Sequence, residues 1–170
     1  MKVDRILEGG IVVMLCAFIG VLYVSLHDNA VKAGDKAPDF SIKADNGRTV
    51  TAHDFGGKLL ILNFWATWCP PCVQEVPSLN QLQAQLGSKG LVVLGVSEDK
   101  DPQAYKAFLD RFHVTYMTAR DPSVTIKPKY GTVQIPESYL IDTNGRVVEK
   151  IVGEANWSSA QMLEHVQSLL

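Results

Sequence analysis

Cys69 and Cys72 are the residues of this chain best suited to chemistry. They stand in Cys69-Pro70-Pro71-Cys72, directly after the apolar run Lys58-Leu59-Leu60-Ile61-Leu62-Asn63-Phe64-Trp65 and at the head of a helical pattern. Residues three apart on a helix share a face, so the two sulfurs can come within bonding distance. A helix N-terminus carries unsatisfied N–H groups and a partial positive charge. That field favours a thiolate, the species that attacks disulfides. Pro70 and Pro71 cost little there, because the first turn needs no N–H donors, and they stiffen the loop that a disulfide would close. A Cys-x-x-Cys pair also occurs at zinc sites, which need two further ligands. His27, His53, His113 and His165 are scattered, none at metal-ligand spacing from a cysteine or another histidine. A purely structural disulfide across so short a loop would add little stability. The pattern points to thiol–disulfide redox chemistry, with no metal and no cofactor.

Composition sets the frame around that pair. The chain has 170 residues, 46% hydrophobic, with a formal net charge of -2. No basic run is present, so nucleic-acid binding lacks its usual electrostatic footprint. The third cysteine, Cys16, is remote from the pair, and three cysteines do not make a disulfide framework. Residues 34–170 are enough for one domain with its own core.

Residues 9–26 read GGIVVMLCAFIGVLYVSL without a charge. As a helix they would span roughly 27 Å, just short of the ~30 Å hydrocarbon core of a bilayer. Lys2 and Arg5 precede the run, which places the short basic end in the cytoplasm and the main domain outside. Residues 1–30 are therefore expected to be a membrane anchor in contact with lipid. A cleaved signal peptide is the alternative, with Val31-Lys32-Ala33 at the cleavage point. Cys16 is an apolar residue of that span, since Val13-Met14-Leu15 lacks the small residue expected before a lipidated cysteine.

The remaining sequence must position the pair. Asp28 to Lys36 reads as a polar linker. Phe40-Ser41-Ile42 and Thr49-Val50-Thr51 flank Asp45-Asn46-Gly47, a hairpin signal. The run before Cys69 is apolar on both faces, as a central covered strand should be. A helix is expected from Pro70 towards Leu86, with Val76, Leu79, Leu82 and Leu86 at helical spacing and a kink at Pro77. Leu91 to Val96 is a second buried strand. Pro102 to Phe112 is a helix capped by Asp101. Tyr116 to Ala119 is a short strand. Ser138–Asp142 and Arg146–Val152 form a hairpin, and a last helix runs from Asn156 to Leu170, capped near Asn156 or Ser158. The order predicts an α/β fold with helices on both faces of the sheet.

Asn63-Phe64-Trp65-Ala66-Thr67-Trp68-Cys69-Pro70-Pro71-Cys72 resembles the active-site segment of thioredoxin-fold proteins. Ala37-Pro38-Asp39-Phe40, the N-terminal hairpin and the anchor narrow the resemblance to the TlpA/ResA/CcmG (DsbE) branch. Ile135-Pro136-Glu137-Ser138-Tyr139-Leu140-Ile141-Asp142 is similar to the segment carrying the cis-proline there. The resemblance implies a thioredoxin-like fold with a central mixed sheet, Cys69 as attacking cysteine and Cys72 as resolving cysteine. It implies a cis bond before Pro136, with Ile135 offering its backbone to substrate. It also implies an extracytoplasmic reductant of partner-protein disulfides, with apocytochrome c or its assembly factors as partners. Electrons would come from a membrane protein of the CcdA or DsbD type, and the location would be the bacterial inner membrane, facing the periplasm. Trp68, Pro70 and Pro71 are expected to meet the partner, whereas Trp65 belongs to the core and Trp157 docks a helix.

Glu75 has two readings: a carboxylate that moves the proton of Cys72, as matching glutamates in the branch imply, or an acid that complements the helix dipole. Asn63 stands where many thioredoxins carry a buried Asp, and Asn transfers no proton at neutral pH, which leaves Glu75 as the better partner. Glu137 is expected to face solvent or a partner. Three rival functions remain. A disulfide oxidase would want a polar or cationic group between the cysteines, and Pro70-Pro71 supplies none. A peroxiredoxin would place Thr three residues before a single cysteine, but Thr67 is two before Cys69. A copper chaperone would need a wider spacing and a nearby histidine.

Overall fold

The structure is a computed structural model that describes Gly10, residues 13–21 and residues 30–170. The chain divides into two units, Met1–Ala30 and Val31–Leu170. In the first, Gly10 and residues 13–21 are helical and exposed. Much of the span expected over 9–26 lies outside the described residues. Among those described, no helix is long and apolar enough to cross a membrane.

The second unit opens with a hairpin, β1 (Ser41–Lys43) and β2 (Thr49–Thr51). Then come β3 (Leu59–Trp65), α1 (Pro70–Leu86), β4 (Leu91–Ser97), α2 (Pro102–Arg111) and β5 (Met117–Arg120). It ends with β6 (Glu137–Ile141), β7 (Val147–Val152) and α3 (Ala160–Ser168). The main sheet has the order β5-β4-β3-β6-β7. β3 runs parallel to β4 and β4 to β5, whereas β6 is antiparallel to both β3 and β7. The sheet is therefore mixed, with β3 at its centre.

Side-chain alternation explains why β3 is apolar throughout. Leu59 and Ile61 join Leu91, Val93 and Leu140 against Leu79, Leu82 and Leu86 of α1 and Val166 of α3. Leu60, Leu62 and Phe64 face the other way, onto Phe40, Ile42, Val50, Phe55 and Tyr130. Trp65 returns to the first side, packed with Val76 of α1 and Tyr105 and Phe108 of α2. All three α-helices thus bury their apolar residues on one side of the sheet. The other side is covered by the hairpin and by single 3-10 turns at Ala52–Phe55 and Lys127–Tyr130. The expectation of helices on both faces is corrected to that extent. The cause is topological: β3, β4 and β5 step across the sheet in one direction, so two right-handed crossovers leave α1 and α2 on the same side.

Two local expectations also change. The stretch read as linker is docked from Val31 onward. Val31 is buried, its N–H donates to Tyr130 O at 3.2 Å, and Gly34 and Asp35 exchange hydrogen bonds with Val147. The last helix begins at Ala160, capped by the Ser159 hydroxyl accepting from Met162 N–H. Asn156 instead turns its Oδ1 to Ser158 N and Oγ, closing a local turn ahead of the helix. α1 has the expected bounds, Pro70 to Leu86, with Pro77 inside it.

Gly95, opposite Asn63 on β4, is required by close packing. A Cβ there would lie 2.9 Å from Trp65 Nε1 and 3.0 Å from a Tyr116 ring carbon. Gly95→Ala is expected to lower stability by about 1–3 kcal/mol through overpacking beside the site, read as a shifted urea midpoint with an unchanged m-value.

Candidate active site: a thiol pair at a helix N-terminus

Cys69 is the N-cap of α1, in extended backbone conformation, with Pro70 and Pro71 in the first turn. Its Sγ accepts the Cys72 N–H at 3.3 Å. The sulfur therefore sits where the helix offers an unpaired donor and its positive end, the surroundings that favour an anion once the pair is reduced. Here the pair is joined as a disulfide, with Cα atoms 5.3 Å apart. Both cysteines are largely buried, whereas the adjoining Trp68 is 64% exposed. Pro70 is exposed and Pro71 half-buried. Trp68 is thus a large apolar group left exposed beside Cys69.

The peptide bond between Ile135 and Pro136 is cis. Ile135 packs against the cluster holding Cys69, Cys72 and Trp65, so the Ile135-Pro136 segment and the redox pair come together from opposite ends of the domain sequence. The Pro136 carbonyl accepts from Gly153 N–H at 2.9 Å, which ties the turn to the end of β7.

Glu75 is 1% exposed, one turn beyond Cys72 on α1. Its Oε1 accepts from the Ala155 N–H and from Trp157 Nε1, each at 2.9 Å. Burial pushes its carboxyl up to about 7, opposed by the hydrogen bonds from Ala155 and Trp157 and by the Asn63 amide, and assisted by Glu154. A carboxyl that titrates near neutrality can hold or release a proton under working conditions. An exposed acid complementing the helix end would have neither this burial nor this shift. Asn63 is itself buried and donates to Ser138 Oγ at 2.9 Å. Trp157 does dock α3 against the sheet, and it also anchors Glu75, a role its sequence position 82 residues away does not announce.

Glu137 corrects an expectation. It faces neither solvent nor partner: it is buried, accepts from Tyr139 Oη at 2.5 Å and from Thr132 Oγ1, and pairs with Lys150 Nζ at 3.1 Å. The side chain follows the inward pleat of β6, and a buried carboxylate must find donors.

Asp99 is a residue that the sequence did not single out. Its carboxylate takes both the N–H and the hydroxyl of Thr67, at 2.9 and 2.6 Å, just ahead of Cys69. The two residues are 32 apart in sequence, and no local pattern links them.

Comparison with known proteins agrees with this geometry. The Redoxin family model matches residues 32–166. The thiol–disulfide oxidoreductase ResA of Bacillus thuringiensis subsp. konkukian (strain 97-27) is 32% identical over 173 residues, covering 99% of each chain. The thioredoxin-like protein YneN of Bacillus subtilis (strain 168) is 35% identical over 153 residues, 86% of this chain and 89% of its own. Among solved structures, a Chlorobium tepidum protein assigned as a thiol:disulfide interchange protein, DsbE, superposes with a TM-score of 0.77 at 34% identity, covering 82% of this chain and 99% of its own. With a cysteine pair capping a helix, a cis-proline segment packed on it and relatives matched along nearly their whole length, the chain belongs to the Redoxin family, in its ResA/DsbE-like group of thioredoxin-fold thiol–disulfide oxidoreductases.

Proposed function

We propose that this thiol–disulfide oxidoreductase works as a reductant of partner-protein disulfides outside the cytoplasm. The observation that carries the direction is the composition of the Cys69–Cys72 loop. The helix end supplies Cys69 with one N–H and its dipole, but Pro70 and Pro71 add no charge and no donor. Strong oxidants gain their potential by stabilising the reduced thiolate, and here that stabilisation is limited.

Reduced Cys69 thiolate attacks one sulfur of the partner disulfide. A mixed disulfide forms and one partner thiolate leaves. Cys72 then gives up its proton, for which Glu75 is the proposed acceptor, and its thiolate attacks Cys69 Sγ. The second partner thiolate leaves, and the Cys69–Cys72 disulfide remains. Two electrons have passed to the partner. Ile135 would align the partner's backbone, and Trp68, Pro70 and Pro71 would touch its side chains.

Residues 1–30 are proposed as a single-pass anchor, with lipid contact along residues 9–26 and residues 34–170 on the periplasmic or outer side of the bacterial cytoplasmic membrane. Lys2 and Arg5 before the apolar run support this orientation. Apocytochrome c or its assembly factors are the proposed partners, and a CcdA- or DsbD-type membrane protein the proposed electron donor; the likeness to ResA supports both. The direction is tested by equilibrating the pair with glutathione. A potential near that of thioredoxin, about -270 mV, is expected, and one near the ~-120 mV of a periplasmic oxidant would reject the reductant reading.

A further inference from the structure

We propose that Asp99 is a positioning residue of the redox turn: it locks Thr67 in place and keeps a negative charge close to Cys69, so that the pair stays reducing. The inference rests on the reductant reading above.

Asp99 lies two residues past β4 and is 4% exposed. Its Oδ2 accepts the Thr67 N–H at 2.9 Å, and its Oδ1 accepts the Thr67 hydroxyl at 2.6 Å. Ser97 Oγ donates to Oδ2 at 2.6 Å and accepts the Asp99 N–H at 3.0 Å. Glu98 N–H donates to Trp65 O at 3.1 Å, and Cys69 N–H donates to Ala66 O at 3.2 Å. The chain leaving β3 is therefore stitched to the chain leaving β4 at Trp65 and at Thr67, and Cys69 closes a turn back onto Ala66. Trp68 can stay exposed at a fixed place because its neighbour Thr67 is held at two points.

All three donors to the carboxylate are neutral groups. Among the described residues no cation pairs with it. Arg120 directs Nη1 to the carbonyls of Asp99 and Lys100, at 3.3 and 2.9 Å. Lys127 is engaged by Glu98 at 2.6 Å. Lys100 and Asp101 line the same groove as Thr67 and Trp68. A carboxylate so placed, shielded from water and bonded to Thr67 two residues ahead of the nucleophile, opposes a thiolate at Cys69. A less stabilised thiolate means a less stabilised reduced form, hence a more reducing couple.

Asp99→Asn separates charge from clamp. The amide oxygen can accept from Thr67 N–H and Ser97, while the amide nitrogen donates to the Thr67 hydroxyl. The variant is expected to keep the folded stability and Trp68 emission of wild type. Its equilibrium with glutathione should move about tenfold towards the oxidising side, about 30 mV for two electrons, and its Cys69 alkylation profile should shift to lower pH. Asp99→Ala, which breaks the clamp, should change Trp68 emission and slow Cys69 exchange; where it does not fold, Thr67→Val removes the hydroxyl arm alone and should change Trp68 emission to a smaller degree. An Asp99→Asn potential and alkylation profile within twofold of wild type would overturn the proposal, as would a clamp-breaking variant with wild-type Trp68 emission. A wild-type potential in the oxidant range would reject the reductant reading instead, since the test of Asp99 is the difference between variant and wild type.

Discussion

Cys72→Ala is expected to convert this enzyme into a covalent trap. Cys69 keeps its place at the N-cap of α1 and its attack on a partner disulfide should proceed. The mixed disulfide that forms has lost its internal resolving thiol. A well-oriented intramolecular group acts at an effective concentration far above that of any free thiol, so release should slow by at least about 10³-fold. Non-reducing electrophoresis should show a partner-sized adduct that disappears with dithiothreitol, and Cys69→Ala in the same background should abolish it. If Cys72→Ala turned over as fast as wild type, or if the adduct formed equally on Cys69→Ala, the assignment of attacking and resolving cysteines would be wrong. Removing Cys72 costs little packing, because Ala fits the same helical position.

The second large effect is at Glu75, and it runs in opposite directions for stability and for chemistry. Its carboxyl is raised by burial from 4.5 to about 7. The native state thus holds a proton that the unfolded chain gives up near 4.5. Stability attributable to Glu75 is highest below that pH, falls as pH rises towards 7, and is flat beyond. The integrated loss is roughly 3 kcal/mol at about 1.4 kcal/mol per unit. Glu75→Gln keeps an oxygen to accept from Ala155 and Trp157 and carries no charge to desolvate. The variant should match wild type in stability at pH 4 and exceed it by about 2–3 kcal/mol at pH 8, measured by urea unfolding at both values. Its resolving step should be slower near neutrality, because Cys72 has lost its proposed proton acceptor. A variant with the same pH–stability curve as wild type would show that Glu75 does not titrate in the folded protein. One with unchanged release kinetics would remove it from the reaction.

The sequence made the chemical centre legible because its signals are short-range. The Cys69–Cys72 spacing, the prolines of the first turn, the Asp101 cap and the turn at Asp45-Asn46-Gly47 each depend on a few neighbouring residues. Pro136 was legible through a flanking pattern that resembles a known family, and its cis bond is present. What escaped were features made by distant pairs that no family pattern marks. The clamp of Asp99 on Thr67, the anchoring of Glu75 by Trp157 and the docking of Val31 on Tyr130 join residues 32, 82 and 99 positions apart. The burial of Glu137 was missed because a carboxylate following a proline looks like a surface residue until its donors are known. They are Tyr139 two residues on, Thr132 in the preceding loop and Lys150 on β7. The single-sided packing of the α-helices depends on strand order, which periodicity does not report.

The Glu137 network also bears on how such a protein could acquire new clients. Thr132 and the Tyr130 carbonyl are fastened, through Tyr139 and Glu137, to strand β6 of the sheet. The loop leading to Ile135 is therefore pinned at its start to β6. Just past these fastenings Val133 is 90% exposed and Gln134 is exposed as well. Side chains at these two positions carry no share of the core, so drift there can change the surface beside Ile135 while leaving the scaffold untouched.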